Sequence, residues 1–212
     1  MDCFIVILYF FIVIINIFDV NYFVRTYFTV LSGRIYQKTI SLNEVTTIYG
    51  FCSFHDCDIR FQNLRLARIL REIDFARYHF YDRTGIYRKS RSLKIKSLQG
   101  CTHTICMDPV NLLAFYKINT KLVYWDERSL FLEHELATIS DNKIRYSIIS
   151  RQHAIGENGE SCEYLLESLP GFNKKPNCPD YIKIWLHSMN ITSIKLNNKK
   201  RDSNIHCIHS EY

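Results

Sequence analysis

The sequence predicts an α+β domain in which one long amphipathic helix packs against an antiparallel sheet. A stretch rich in β-branched and aromatic residues at 46–54 predicts a strand. A helical apolar stripe then runs from Leu66 to Gly85, and alternating segments separated by polar turns run from 115 to 155. A strand, a long helix and an antiparallel meander, in this order, indicate the α+β class.

The composition of the 212-residue chain fits one folded domain with extensions. Hydrophobic residues make up 47% and charged residues 23%, which excludes a largely disordered chain. The net charge is +6, and the basic runs at 88–91 and 199–201 are short. A nucleic-acid binder has a denser basic surface, so we expect no nucleic-acid partner.

The predicted long helix has a single apolar stripe. Apolar residues recur at steps of three and four, and Gly85 is a plausible helix stop. We therefore expect one face of the helix to be buried against the sheet and the other to face solvent. The residues expected to be buried are Leu66, Ile69, Leu70 and Ile73, and those outside the stripe are Arg68, Arg71, Glu72 and Arg83.

Several strands are predicted after the helix. In the strongest of them, apolar and polar side chains alternate with the period of two that is typical of a strand. Short polar turns separate these segments, which favours antiparallel pairing between sequence neighbours. The strong candidates are 115–125, 129–139 and 144–155, and the weak ones are 94–96 and 102–106.

The amino terminus is an apolar segment. Residues 3–18 carry no charged side chain and a single amide, Asn16. As a helix this run would be about 24 Å long, against about 30 Å for a bilayer core. No basic residue precedes it and no small-residue cleavage site follows it, which favours an anchor over a signal peptide. We expect residues 1–24 to be a membrane anchor that contacts lipid through 3–24, with a cleaved signal segment as the alternative.

Three further segments follow the apolar one. Residues 25–44 show no clear period, and we expect them to connect the anchor to a folded domain at 45–156. Residues 157–212 are expected to form an extension with a short helix at Tyr181–Met189 and a frayed tail.

Charges after the apolar segment predict its orientation. Arg25, Arg34 and Lys38 follow it, and basic residues favour the cytosolic side of a membrane. We therefore expect an endoplasmic reticulum membrane protein whose domain is cytosolic and whose eight cysteines are free thiols. The alternative is a chain secreted after signal cleavage, with possible disulfides. Asn190, in the acceptor sequence Asn-Ile-Thr, would be glycosylated only in the lumen.

Six stretches between about residue 18 and residue 196 resemble one protein family in order. The set includes the acidic turn Asp56-Cys57-Asp58 before the long helix and a tryptophan–acidic hairpin at Trp125. The sequence resembles the family of thioesterase superfamily member six, related to acyl-CoA thioesterases. The matching stretches are 18–25, 56–58, 67–77, 125–133, 151–153 and 179–185.

The resemblance implies the hotdog fold, in which an antiparallel sheet wraps around a long central helix. Members of this fold pair their sheets, so it also implies a homodimer. It further implies an acyl-CoA or acyl-lipid ligand, with no cofactor and no metal ion. Related hotdog proteins usually carry His-x-Asn-Asn before the helix, and residues 59–66 lack it. A catalytically inactive protein that binds acyl lipids or acts as a scaffold is therefore the alternative.

Asp58 is the candidate catalytic residue. Thioester hydrolysis needs a carboxylate that attacks the carbonyl or activates water, and donors that stabilise the oxyanion. Asp58 lies just before the long helix and corresponds to the family's aspartate, while Asp56 is the lesser candidate. Alternatively, both carboxylates stabilise the turn and the helix start without catalysis.

We predict a membrane-anchored, thioesterase-like protein of lipid metabolism that hydrolyses acyl-CoA.

Two other groups of residues suggest chemistry less specifically. Cysteines and histidines cluster at 52–57 and 101–106, but their spacing is not that of a recognised zinc site, so we predict no metal ion. Glu72 and Asp74 could supply a second carboxylate. Both are expected instead to pair with neighbouring arginines at helical spacings.

Overall fold

The computed structural model describes residues 5–10, 19–156 and 161–209 of the chain. Contacts within the chain separate two units, residues 1–175 and 176–212. The second unit contains α5 (Asp180–His209). The first unit contains α1 (Val20–Tyr36), β1 (Thr46–Phe51), a 3-10 helix (Phe54–Asp56), α2 (Leu66–Thr84), α3 (Ile86–Ser92), β2 (Lys96–Cys106), β3 (Phe115–Trp125), β4 (Ser129–Thr138), β5 (Ile144–Ile155) and α4 (Cys162–Leu166).

The five strands form one antiparallel sheet in the order β1-β3-β4-β5-β2. The long helix α2 lies against β1, β3 and β4. Inward-facing residues of β3, such as Ile118, and of β4, such as Leu136, pack with α2 in one apolar cluster. A central helix covered by a five-stranded antiparallel sheet is the hotdog arrangement, so the predicted α+β fold class is confirmed.

The edge strand β2 is continuous, although the sequence predicted only two short pieces. It pairs with β5 along its length, with an irregularity between Gln99 and Cys101. Gly100 lies at this bulge, where a Cβ atom would come within 2.3 Å of the Nε2 atom of His153. Because β2 is an edge strand, it shows no clear alternation of apolar and polar residues, which is why the sequence signal is weak.

The central helix has the predicted bounds. It begins at Leu66, ends at Thr84 and is followed by Gly85 in the left-handed conformation with φ 84°. Glycine adopts this conformation readily, so Gly85 stops the helix as the sequence predicted. Ile69 and Ile73 are buried against the sheet, as expected.

The prediction of one buried and one solvated helix face is wrong. Leu66 and Leu70, expected in the core, are 48% and 36% exposed. Arg68, Glu72 and Arg83, expected outside the apolar stripe, are buried. Charged side chains are rarely buried without partners, so a second element must cover this side of α2.

That element is α1, which the sequence analysis missed. It packs against α2 and occupies much of the segment that was expected to be a connection. The helices pack tightly at Gly33, where a Cβ atom would lie 2.9 Å from the Nε2 atom of His79. Arg83 donates a hydrogen bond to the Gly33 carbonyl at 3.0 Å, and Arg34 forms a bidentate ion pair with Asp82. Polar contacts therefore join α1 to α2.

The first unit continues beyond residue 156, where the sequence analysis ended the domain. Leu165 and Leu166 of α4 are buried in an apolar cluster that also contains Trp125. In the second unit, α5 continues well past the short helix predicted at 181–189, into residues that were expected to form a tail.

The apolar amino-terminal segment is described only in part. Residues 5–10 are helical, while residues 1–4 and 11–18 of the predicted anchor lie outside the described residues. Among the helices that the structure describes, none is both long and apolar enough to cross a bilayer.

Two substitutions on α2 test its packing. Ile73 is 3% exposed and Leu70 is 36% exposed. Ile73→Asp should lower the free energy of unfolding by about 3–5 kcal/mol, because the new charge is buried without a partner. Leu70→Asp is the matched control and should cost about 1 kcal/mol or less. Equal losses for the two variants in urea unfolding would contradict this packing.

Candidate functional site

Asp58 lies in a short loop between the 3-10 helix and α2. An antiparallel bridge between Cys57 and Leu64 closes this loop. The Asp58 amide donates a hydrogen bond to the Asn63 carbonyl at 2.9 Å, and the Gln62 amide donates one to Asp58 Oδ1 at 3.1 Å. One carboxylate oxygen therefore stabilises the loop, while the side chain as a whole stays partly exposed.

An open cleft of about 640 Å³ surrounds Asp58. This volume lies within the range of about 300–1,000 Å³ that is usual for small-molecule sites. Ile59 and Phe61 are 95% and 57% exposed and give the cleft apolar surface. Arg60 and Arg65 give it positive charge. The first turn of α2 has no acidic residue, so the positive end of the helix dipole is not neutralised there. The cleft suits an anionic, partly apolar ligand.

A buried network of ion pairs lies next to the loop. Glu72 is fully buried and pairs with Arg25 of α1 at 2.5 Å and with Arg68, one turn earlier on α2, at 2.8 Å. Arg68 also pairs with Asp56 at 2.8 Å. The amide and hydroxyl of Ser53 donate hydrogen bonds to the second carboxylate oxygen of Asp56. This ion cluster joins α1, the 3-10 helix and α2.

Two strands enclose the ion cluster. The ring of Tyr116 in β3 covers Gly50 of β1, where a Cβ atom would lie 2.3 Å from Tyr116 Cε2. Burial, together with the charge of Glu72, raises the pKa of the Tyr116 hydroxyl. Burial likewise raises the pKa of the Glu72 carboxyl, although the charges of Arg25 and Arg68 oppose this shift. The Glu72 carboxylate is therefore desolvated, and its charge depends on its two arginine partners.

The two aspartates of the predicted motif have different environments. Asp56 is 7% exposed and is held by Arg68 and Ser53. Asp56 could not approach a ligand without giving up its ion pair with Arg68 and its hydrogen bonds from Ser53. Asp58 lies outside the ion cluster and lines the cleft. Asp58 is therefore the more accessible of the two carboxylates, and its catalytic role stays a prediction.

Two predicted ion pairs within α2 are confirmed. Glu72 pairs with Arg68, and Asp74 pairs with Arg77 at 2.9 Å. The pairing of Glu72 with Arg25 was missed, because these residues are 47 positions apart and no local pattern connects them.

A buried histidine in the sheet has a structural role. His134 is fully buried, with Nδ1 2.9 Å from the Thr120 hydroxyl and Nε2 3.0 Å from the Ser150 hydroxyl. Burial lowers its pKa to about 3, so the imidazole is neutral at physiological pH. It links β3, β4 and β5 and does not line the cleft. Among the described residues, no three metal-ligating side chains come together.

Comparison with known proteins decides the family. The model of the thioesterase-like superfamily matches residues 52–186. Protein THEM6 of Drosophila melanogaster is 38% identical over 186 residues, which cover 87% of this chain and 94% of that protein. The chain belongs to the THEM6 family. The resemblance inferred from ordered motifs is thereby confirmed.

Solved structures share the fold of this THEM6-family chain. YbaW Probable Thioesterase from Escherichia coli has a TM-score of 0.53 and 14% identity, and the match covers 57% of this chain and 93% of that one. The Staphylococcus aureus protein SAV2348, solved in complex with CoA, has a TM-score of 0.51 and 12% identity, with 68% and 96% covered. At these identities the likeness establishes the fold alone.

Proposed function

We propose that this THEM6-family protein binds acyl-CoA thioesters in the Asp58 cleft and hydrolyses them. The observation that carries the proposal is the position of the Asp58 carboxylate. It is partly exposed, lies in the loop before the central helix and has Arg60 and Arg65 beside it in the same cleft. The two guanidinium groups suit the phosphates of CoA, and the exposed Ile59 and Phe61 suit the apolar part of a substrate.

In this mechanism Asp58 accepts a proton from a water molecule while the water oxygen attacks the thioester carbonyl. Backbone amides at the start of α2 stabilise the oxyanion that develops on the carbonyl oxygen. Collapse of the tetrahedral intermediate breaks the carbon–sulfur bond. The proton then passes from Asp58 to the departing thiolate, so the products are a carboxylic acid and the free thiol of CoA.

The second candidate function is binding without catalysis. The Gln62 amide already occupies one oxygen of the Asp58 carboxylate, which is the contact that a purely structural turn residue would make. Residues 59–66 also lack the His-x-Asn-Asn sequence that is usual in related hotdog proteins. In this alternative the cleft holds an acyl lipid, and the protein acts as a carrier or scaffold.

We also propose that the protein is held at the endoplasmic reticulum membrane. Residues 5–10 are Ile-Val-Ile-Leu-Tyr-Phe, and each of these side chains is exposed. On α1, the neighbouring residues Tyr27 and Phe28 are 64% and 62% exposed. Exposed apolar and aromatic side chains of this kind favour contact with lipid.

The edge strand β2 supports the proposal of a homodimer. Each of its 11 residues is at least partly exposed, and one side of the strand has no neighbour in the sheet. An unpaired edge of this length invites pairing with a second strand, and a second copy of β2 provides one.

Asp58→Asn distinguishes the two candidate functions. The asparagine side-chain oxygen can still accept the Gln62 hydrogen bond, so the loop should persist while the negative charge is lost. Hydrolysis of acyl-CoA should fall about a hundredfold or more, the scale for losing a positioned base, with the melting temperature unchanged.

Arg60→Gln is the companion variant in the same assay, and it should raise KM with little change in kcat. An unchanged rate in Asp58→Asn would make Asp58 a turn residue. Absence of hydrolysis by the wild-type protein across a panel of acyl-CoAs would favour binding without catalysis.

A glycosylation assay tests the proposed topology. Asn190 is exposed on α5 and starts an Asn-Ile-Thr acceptor, which is modified only in the lumen. We expect glycosidase treatment to leave the mobility of the expressed protein unchanged, and mass spectrometry to find residues 1–24 retained. A gel shift that Asn190→Gln abolishes would place α5 in the lumen and contradict a cytosolic domain.

A further inference from the structure

A groove runs between α1 and the α2–α3 pair, at the opposite end of α2 from Asp58. It encloses about 560 Å³. Its walls are mainly apolar and aromatic, with Phe23, Tyr27 and Val30 from α1 and with Tyr78 and Tyr87 from the other side. We call this cavity the α1 groove. Its volume and lining are those of a site that takes an apolar chain.

A second cavity of about 430 Å³ continues the α1 groove. The two share Tyr78, Tyr87 and Arg91 in their linings. The second cavity differs in charge, since Lys94 and Lys96 line it together with Arg91. An apolar groove therefore opens directly into a basic one.

Three cations, Arg91, Lys94 and Lys96, line this opening. Among the residues whose side chains the structure describes, no carboxylate forms an ion pair with Arg91, Lys94 or Lys96. The other two arginines of the linings differ in this respect, because Arg34 is paired with Asp82 and Arg77 with Asp74. The opening therefore has an excess of positive charge that suits an anionic group.

The backbone at Lys94 is strained. Lys94 has φ 54°, in the left-handed region that residues other than glycine and asparagine seldom adopt. It follows the end of α3, where the Ile95 amide donates a hydrogen bond to the Ser90 carbonyl at 2.9 Å. Glycine is common at this position after a helix. A lysine there makes the folded protein less stable, but it adds a positive charge to the opening.

We propose that the α1 groove binds a lipid whose head group is a phosphate monoester. The acyl chain lies between α1 and α3, and the phosphate contacts Arg91, Lys94 and Lys96. A phosphate monoester carries close to two negative charges at neutral pH and has three acceptor oxygens, which suits the three cations that line this cavity. The proposal does not depend on thioester hydrolysis, because Tyr78 of this groove lies about 18 Å along α2 from the helix start that follows Asp58.

Native mass spectrometry of the full chain in mild detergent tests the proposal. The protein is mixed with equal amounts of oleoyl lysophosphatidic acid and oleoyl lysophosphatidylcholine, which differ only in the head group. We expect the lysophosphatidic acid adduct to dominate by about tenfold or more, the scale of a charge-assisted hydrogen bond. A ratio near one in the wild-type protein would overturn the proposal.

Matched variants assign the selectivity to this groove. Arg91→Gln combined with Lys94→Asn should bring the adduct ratio close to one. Asparagine tolerates the left-handed conformation, so this variant should fold at least as stably as the wild type. Lys38→Gln combined with Lys143→Gln removes the same charge from exposed positions elsewhere and should keep the wild-type ratio. Equal loss of selectivity in both double variants would contradict the assignment.

A third variant tests the apolar part of the site. Val30→Trp should fill the α1 groove and reduce both adducts severalfold, while the melting temperature stays near that of the wild type. Unchanged adducts in Val30→Trp would overturn the placement of the acyl chain. Displacement of lysophosphatidic acid by an equimolar amount of oleoyl-CoA would show that the groove prefers an acyl-CoA to a lysophospholipid and would also overturn the proposal.

Discussion

The ion pairs of the buried Glu72 are the constraint on which the rest of the first unit depends. A carboxylate without solvent is tolerated only because Arg25 and Arg68 lie within contact distance. Arg25 comes from α1, and Arg68 in turn holds Asp56 of the 3-10 helix. Helix α1, the 3-10 helix and the start of α2 are therefore linked by one chain of ion pairs, and removing one member would leave buried charge with fewer partners.

Both proposed sites follow from this arrangement. Because Asp56 is held inward by Arg68, the loop that follows it turns outward and places Asp58 in an open cleft. Because Arg25 holds α1 against α2, a groove forms along the other end of the same helix, lined by Tyr27 of α1 and Tyr87 of α3. The hotdog sheet packs against one face of α2. The ion cluster helps to hold α1 over the other face.

The sequence predicted what depends on local periodicity and missed what depends on distant partners. The bounds of α2, the stop at Gly85 and the strands of the meander all have local signals, and they were predicted correctly. The exposure of Leu70 was predicted wrongly, because a helical stripe does not reveal where the packing surface ends. Helix α1 was missed because many of its apolar residues point outward and one of its tight contacts with α2 is at Gly33, which has no side chain to signal it. The motif placed Asp58 correctly before the helix, but only the structure separates it from the buried Asp56.

A double-mutant cycle between Arg25 and Glu72 tests this account most directly. The variants are Arg25→Met, Glu72→Met and the two combined, with the free energy of unfolding of the full chain followed through the fluorescence of the buried Trp125. Each single variant should be destabilised because it deprives a buried charge of one partner, and Glu72→Met should lose about 3–5 kcal/mol. The double variant should lose clearly less than the sum of the two, with a coupling of about 1–3 kcal/mol. Strictly additive losses would contradict the claim that this ion pair holds α1 on the hotdog domain.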